Sequence, residues 1–491
     1  MKKIFLCFLS LIFAFSLCGC KKKDNLADLS VGLTNYSIDI KLNVQEKSAK
    51  VLQVVDYVNN TDAILKTIKF HLYPQYFEQG ATDHVVSSTK LNQAYPNGMS
   101  YANFEIDRVV VQNEDKPVVY SGEHESILDV TLNLSLIPQD RVEIMIEYHF
   151  TLPNCEHRFG YGDNTINLAN FYPILCVYEN GSFNEAGYNP NGDPFYSEMA
   201  NYSVNITVPN QYVVASTGDK MSENSIGENK VVSYKANLVR DFALVVSDKF
   251  EIKSEQVADT TIIYYCYDDP HSNQSLKAGV DAIKTFSNLF GSFPYKTFSI
   301  VKTDFVHGGM EYPNLIMISD QIDTLDDYLN VIVHETAHQW WYAMVGNDEI
   351  KYPWLDEALT EYSSILFYDY NEGYNFTHGQ MVNACKENYT LFVSIYNDVL
   401  GNIDTSMRAS DQYSTEPEYT YCTYVKGVLM YDSLYNLVGE KKFVQSLKKY
   451  FENNKFKNTT PENLIMAFEE INDGDYHNFF SSWIDGKVVI R

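Results

Sequence analysis

The chain has 491 residues and is 45% hydrophobic, enough apolar material for two or three cores and too much for a disordered chain. It carries 64 acidic against 37 basic residues, a net charge of −27, which argues against nucleic acid as a partner. Past the first 25 residues no segment offers about 18 uninterrupted apolar residues, so nothing there reads as a membrane span. Beyond Cys20 the cysteines are Cys155, Cys176, Cys266, Cys385 and Cys422, an odd number without a CxxC pair. That pattern argues against a disulfide framework and against a cysteine zinc site, while leaving room for one disulfide in an exported chain.

In chain order, the first element is a targeting segment. Lys2 and Lys3 precede the apolar run Ile4 to Leu17, which is short for a membrane span. The run ends in Leu17-Cys18-Gly19-Cys20, which resembles a bacterial lipoprotein signal. The resemblance implies removal of residues 1–19, lipidation of Cys20, and attachment to the extracytoplasmic face of the cell membrane. Loss of Lys2 and Lys3 then lowers the net charge to −29. Residues 20–29 read as a membrane-proximal linker whose Lys21 to Lys23 favour anionic headgroups.

The next stretch alternates at period two. Ile38, Ile40, Leu42 and Val44 do so, as do Val130, Leu132, Leu134 and Leu136, Val142 to Phe150, and Tyr202 to Val208. This predicts a half-buried antiparallel sheet and an all-β, sandwich-like domain over residues 30–252. Residues 181–197, rich in Asn, Gly and Pro, read as loop. After about 252 the texture becomes mostly helical, defining a second domain over 253–491. Leu276, Val280, Ile283 and Phe290 lie at helical spacing, and Phe298 and Ile300 suggest a strand. Leu325 to Val345 reads as one long helix stopped near Gly346-Asn347, and Pro353 precedes a second helix to about Tyr370. Thr460-Pro461-Glu462 reads as an N-cap followed by proline at the first helical position.

The residues with the clearest chemistry are His334-Glu335-Thr336-Ala337-His338. Histidines four apart on a helix point from one face and can grip one metal ion. Glu335 lies close enough to take a proton from water without being a ligand. This is the HExxH arrangement of zinc peptidases, in which the metal lowers the pKa of water to about 7. A third ligand must come from elsewhere, and Glu357 follows His338 after eighteen residues, within Trp354-Leu355-Asp356-Glu357. A turn through Gly346 to Pro353 allows a return helix that places Glu357 beside both histidines.

HExxH, eighteen residues, then a glutamate in this context resembles the M1 family of zinc aminopeptidases, the gluzincins. Gly308-Gly309-Met310-Glu311-Tyr312-Pro313 is similar to the family's GxMEN segment and departs from it at Tyr312, where the family has asparagine. Tyr424-Val425-Lys426-Gly427, 67 residues after Glu357, is similar to its Y-x-K-G. Val239 to Val246 resembles the strand that closes the family's β domain, and Phe480 to Gly486 the end of its helical catalytic part.

The resemblance implies a thermolysin-like catalytic domain and one Zn2+ held by His334, His338 and Glu357. It makes Glu335 the general base and Tyr424 the oxyanion donor, with Tyr419 its neighbour. Glu311 becomes the anchor for a substrate's α-amine, and Gly308, Gly309 and Met310 belong to an edge strand that pairs with the peptide. Asn167 and Asn170 lie where relatives place a polar amine-binding residue, and His307 reads as structural or solvent-facing. Many relatives continue into a further helical domain that covers the site; its lack implies a more open cleft. The implied substrates are peptides cleaved from the N-terminus outside the cell. Alternatives are a zinc endopeptidase and a non-catalytic peptide-binding surface lipoprotein.

Overall fold

The computed structural model describes residues 26–81, 85–401 and 403–490. The signal segment 1–19 and the lipidation site Cys20 lie outside these residues, as does most of the 20–29 linker. Among the described residues no helix is long and apolar enough to cross a membrane, and the five cysteines past Cys20 are free.

The first half is built on an eight-stranded sheet. Its order is Asp219–Ile226, Asn229–Val239, Ala200–Pro209, Asn35–Asn43, Ser48–Val58, Arg141–Thr151, Asn103–Val111 and Glu114–Lys116. The period-two residues do what their spacing demands: Ile38, Ile40, Leu42, Ile144, Ile146, Tyr148 and Phe150 are buried and their neighbours are exposed or partly so. A four-stranded sheet containing Leu65–His71 and Ile127–Leu136 contributes Ile68, Phe70 and Val130 to the same core. Two expectations need correcting. The sheet is not wholly antiparallel, because Asn35–Asn43 runs parallel to Ala200–Pro209. The long connection between these strands lets the chain return in the same direction. Leu134 is 79% exposed, because the register shifts between Leu65 and Thr67 on the partner strand and breaks the alternation there.

The change of texture near residue 252 falls inside the strand Glu251–Val257, which opens a separate five-stranded sheet. That sheet runs Glu251–Val257, Thr260–Cys266, Thr297–Thr303, Leu315–Ser319 and, at its edge, Gly309–Met310. Around it lie helices α1 (Ser272–Leu289), α2 (Leu325–Ala337), α3 (Pro353–Tyr370), α4 (His378–Leu400), α5 (Lys426–Val438), α6 (Glu440–Asn454), α7 (Pro461–Asn472) and α8 (His477–Ile484). Helix α7 begins with a Thr460/Asn463 capping box and Pro461 in its first turn.

The long helix expected to reach Val345 ends instead at Ala337, with His338 as its cap. The reason is aromatic packing. The Trp340 indole donates to the Gly291 carbonyl (2.9 Å) and its ring meets Phe286 and Phe293 beside α1. The Trp341 indole donates to Ser363 Oγ on α3 (2.9 Å). Both rings are buried, and no continuing helix would send adjacent side chains to these two partners. The chain turns at Tyr342, whose φ is 144°, and pairs as Val345–Asn347 with Lys457–Thr459.

The two halves are joined by Arg240, which is 2% exposed. Its guanidinium donates to the carbonyls of Ser197 (2.9 Å), Ala343 (3.3 Å) and Lys457 (3.5 Å) and to Asn458 Oδ1 (2.7 Å). A Cβ at position 346 would collide with this guanidinium, which explains Gly346. Arg240→Met would strand these acceptors away from water, at about 1–3 kcal/mol each for the least relieved. A loss of roughly 3 kcal/mol or more in urea unfolding is expected, and an unchanged midpoint would show that the bracket does not matter.

Candidate metal centre and active-site cleft

Helices α2 and α3 pack together and bring three acceptor atoms to one point. His338 Nε2 lies 3.2 Å from His334 Nε2 and 3.2 Å from Glu357 Oε2, and His334 Nε2 lies 3.6 Å from the same oxygen. The other ring nitrogens define the tautomers. His334 Nδ1 donates to Glu361 Oε2 at 2.7 Å, and His338 Nδ1 donates to the Trp341 carbonyl at 3.0 Å with Thr360 Oγ1 3.1 Å away. Protons held at both Nδ1 atoms leave both Nε2 lone pairs facing each other and a carboxylate. Three facing acceptors, with His338 1% and Glu357 5% exposed, repel one another unless a cation sits between them. A tetrahedral zinc with ligands at roughly 2.0–2.2 Å sets them about 3.3–3.6 Å apart, so the residues fit that ion.

The electrostatics agree. Burial disfavours a charged His334, yet the hydrogen bonds it donates to Glu357 and Glu361 outweigh it and raise its pKa well above the usual value. Burial likewise opposes ionisation of Glu357, and the two histidines overcome it and hold the carboxyl low. The pocket pulls in positive charge.

Glu335 shares the helix face but is not one of the three. Burial pushes its pKa up to about 7, partly offset by His334 and His338, and its Oε2 has no hydrogen-bond partner. That places its proton affinity where a general base works near neutral pH. Gly309 explains its own identity here, because a Cβ would collide with the Glu335 carboxylate.

The edge strand Gly309–Met310 pairs antiparallel with Leu315–Ser319 on one side only, leaving its other edge to the cleft. The Met310 side chain goes into the core, so what this residue offers the cleft is backbone. Glu311 follows, 3% exposed, with Oε1 unpartnered. Gln339, just past α2, accepts from Asn314 N (2.8 Å) and donates to the carbonyls of Glu311 and Tyr312 (3.4 and 3.3 Å), tying this segment to the metal-site helix.

Tyr312 is explained by the β domain. Its hydroxyl donates to Asn170 Oδ1 at 2.6 Å, and Asn170 Nδ2 donates in turn to Asp241 Oδ2 at 2.8 Å. Asn170 is therefore occupied by this tie, and Asn167 is occupied by the carbonyls of His157 and Asp304. Neither lines the cleft.

A β-domain residue that does is Asp193, in the stretch 181–197 expected to be loop, of which Ser182–Phe183 instead pairs with Tyr178–Glu179. Its carboxylate pairs with Arg158 (2.9 Å), and ligand atoms of Asp193, Glu311 and Glu357 lie within 4.8 Å of one another. Sequence alone missed it, because an aspartate in an Asn-Gly-Asp-Pro loop reads as turn chemistry. The one usable signal was the loop's length.

Tyr424 lies in a π-helical turn, Tyr421–Val425, just before α5, and its ring stacks 6.3 Å from that of His334. Burial first, and Glu357 next, push its phenol well up, so it keeps the proton it would donate. Lys426 and Gly427 position it. Lys426 Nζ donates to the carbonyls of Thr405 and Trp483, both at 2.6 Å, and a Cβ on Gly427 would collide with Ala358 on α3. Tyr419 packs edge-on to Tyr424 at 5.8 Å. Together these residues line a cleft of about 430 Å³ that also includes Lys90, His307, Gly308, Val331 and Glu416.

Glu361 orients His334 from behind. Glu361→Gln weakens that hold, and zinc affinity is expected to fall about 10- to 100-fold in competition with a chromogenic chelator. An unchanged affinity would remove Glu361 from the site.

Residues 274–483 match the family model described as Peptidase family M1 domain. The chain is 24% identical over 315 residues to Aminopeptidase M1 of Arabidopsis thaliana, covering 59% of this chain and 34% of that protein. It is 26% identical over 212 residues to Aminopeptidase N of Streptomyces lividans, covering 41% and 24%. The matches thus span about a third or less of these relatives' lengths. Its fold is that of an M1 zinc metallopeptidase from Deinococcus radiodurans, solved with a tyrosine-serine-alanine substrate: TM-score 0.63, 15% identity, 93% of this chain and 94% of that one.

Proposed function

We propose, on the match of residues 274–483 to the Peptidase family M1 domain, that the chain is a zinc aminopeptidase that removes N-terminal residues from peptides. The observation that carries this reading is one cleft holding both the three converging acceptors and, within 4.8 Å of His338, the buried carboxylates of Glu335 and Glu311. His334, His338 and Glu357 would hold one zinc ion, which when bound supplies Lewis-acid polarisation and acidifies water.

The chain's own residues supply the rest. Glu311, with its free Oε1, and Asp193 face the position of a substrate's ammonium group and favour a cation there. Pairing of the peptide with the open edge of Gly309–Met310 then brings its first carbonyl beside Glu335. Glu335 takes the proton of the attacking water and delivers it to the leaving amine. The Tyr424 hydroxyl donates to the oxygen on which negative charge develops. Burial of Glu311, Glu335, His338 and Glu357 strengthens their interactions by excluding water.

The anchor is what separates an aminopeptidase from an endopeptidase. Glu311→Ala is expected to lower kcat/KM for free-amine aminoacyl amides by about 100-fold or more. Weak cleavage of N-blocked peptides should change little, while Glu335→Gln and a chelator abolish both. Equal damage to free and blocked substrates by Glu311→Ala would remove the anchor role.

We also propose that the protein is held at the extracytoplasmic face of a bacterial membrane by a lipid on Cys20. Lys2, Lys3, the apolar run Ile4 to Leu17 and Leu17-Cys18-Gly19-Cys20 support this. Labelled palmitate should enter the wild-type chain and not Cys20→Ser. Equal labelling, or none in either, would refute it.

A further inference from the structure

The cleft has a direction, set by four successive pairings. Glu311 lies by His338; a Cβ on Gly309 would collide with the Glu335 carboxylate, and one on Gly308 would lie 3.7 Å from Val331 Cγ2; His307 Nδ1 lies 3.4 Å from Lys90 Nζ. Stepping back from 311 to 307 along the edge strand thus goes with stepping from His338 to Glu335 to Val331 along α2. A peptide whose amine sits at Glu311 runs towards His307. Glu335 and Val331 are one helical turn apart, about 6 Å along the axis, the length of about two extended residues. Gly309 to His307 is likewise two residues along the chain, so the third residue of a peptide whose first carbonyl lies beside Gly309 comes level with His307 and its neighbour Lys90.

Lys90 is held there by a clasp between the two halves of the chain. Its ammonium lies 3.0 Å from Glu416 Oε1, while Glu416 Oε2 accepts from Ser87 Oγ (2.7 Å) and Thr89 Oγ1 (3.0 Å). Both Glu416 oxygens are thereby occupied. Lys90 has three donors, and Glu416 and His307 use two. The surrounding histidines add no charge. Burial, then Arg158, His307 and Lys90, keeps His157 neutral, and burial, then Lys90, does the same for His307. The leaving-group end of the cleft thus presents one ammonium with a donor to spare, opposite an amine end lined with carboxylates.

We propose that Lys90 binds the free C-terminal carboxylate of tripeptides, so that Glu311 and Lys90 bracket short peptides by their two charged ends. This rests on the aminopeptidase reading above and adds the substrate class. Lys90 is a specificity residue in this scheme, and Glu416 with Ser87 and Thr89 positions it.

The test compares trialanine with its C-terminal amide, and pentaalanine with its amide, on the zinc-loaded wild type and Lys90→Met. The wild type is expected to favour the free-acid tripeptide by about tenfold in KM with little change in kcat, the scale of one charge-assisted hydrogen bond. The preference should vanish for the pentapeptide, whose carboxylate overshoots, and in Lys90→Met. An acid-to-amide ratio near one in the wild type, or a ratio retained in Lys90→Met, overturns the proposal. Calorimetry of the same tripeptide pair on Glu335→Gln, with and without Lys90→Met, reads the preference without turnover. Absent hydrolysis by wild type would then count against the aminopeptidase reading, while the calorimetric ratio still decides for or against Lys90.

Discussion

Three acceptor atoms face one another across 3.2–3.6 Å in a place almost closed to water, and the rest of the molecule is arranged to hold them there. Left to themselves, two imidazole lone pairs and a carboxylate would swing apart or take up a proton. Glu361, the Trp341 carbonyl and Thr360 prevent this by fixing the outer nitrogen of each ring. Those partners depend in turn on packing. Trp340 and Trp341 end α2 at His338 and lock it against the chain beside α1 and against α3, and the small residues Ala358 and Gly427 let α5 come close enough to deliver Tyr424.

A metal site of this kind only supplies the chemistry of bond cleavage. In the proposed aminopeptidase, which bond is cleaved depends on the second half of the design, in which the β domain takes part. The edge strand is fastened to α2 through Gln339 and to the β domain through Tyr312, Asn170 and Asp241. Asp193 enters the cleft from the β domain on a loop braced by Arg158, whose guanidinium also lies 4.8 Å over Phe195. Arg240 holds the halves in register, so the edge strand and the three converging acceptors share one frame. Along the cleft, the carboxylates of Glu311 and Asp193 lie by the metal ligands, and Lys90 lies by His307 and Glu416.

Local spacing determined a good deal about this protein. Period two in the first half marked the inward faces of the strands, because alternate side chains leave a strand on opposite sides. Period four put His334 and His338 on one helix face, and the eighteen residues to Glu357 left just enough chain for a turn and a return helix. Glycines at 309 and 427 recorded close approaches that no larger residue would permit.

Tertiary structure alone decided the rest, because it turned on contacts between residues far apart in the chain. The end of α2 was set by the partners of two tryptophans rather than by its own helical pattern. The exposure of Leu134 followed from an irregularity on the opposing strand. Asn167 and Asn170 were drawn into the frame, while Asp193, unremarkable in a turn-rich loop, became part of the cleft. Lys90 gained meaning only through Glu416 and His307, more than two hundred residues away. A sequence pattern reports the geometry of one helix or one strand; which charges face each other across a cleft depends on how those elements pack.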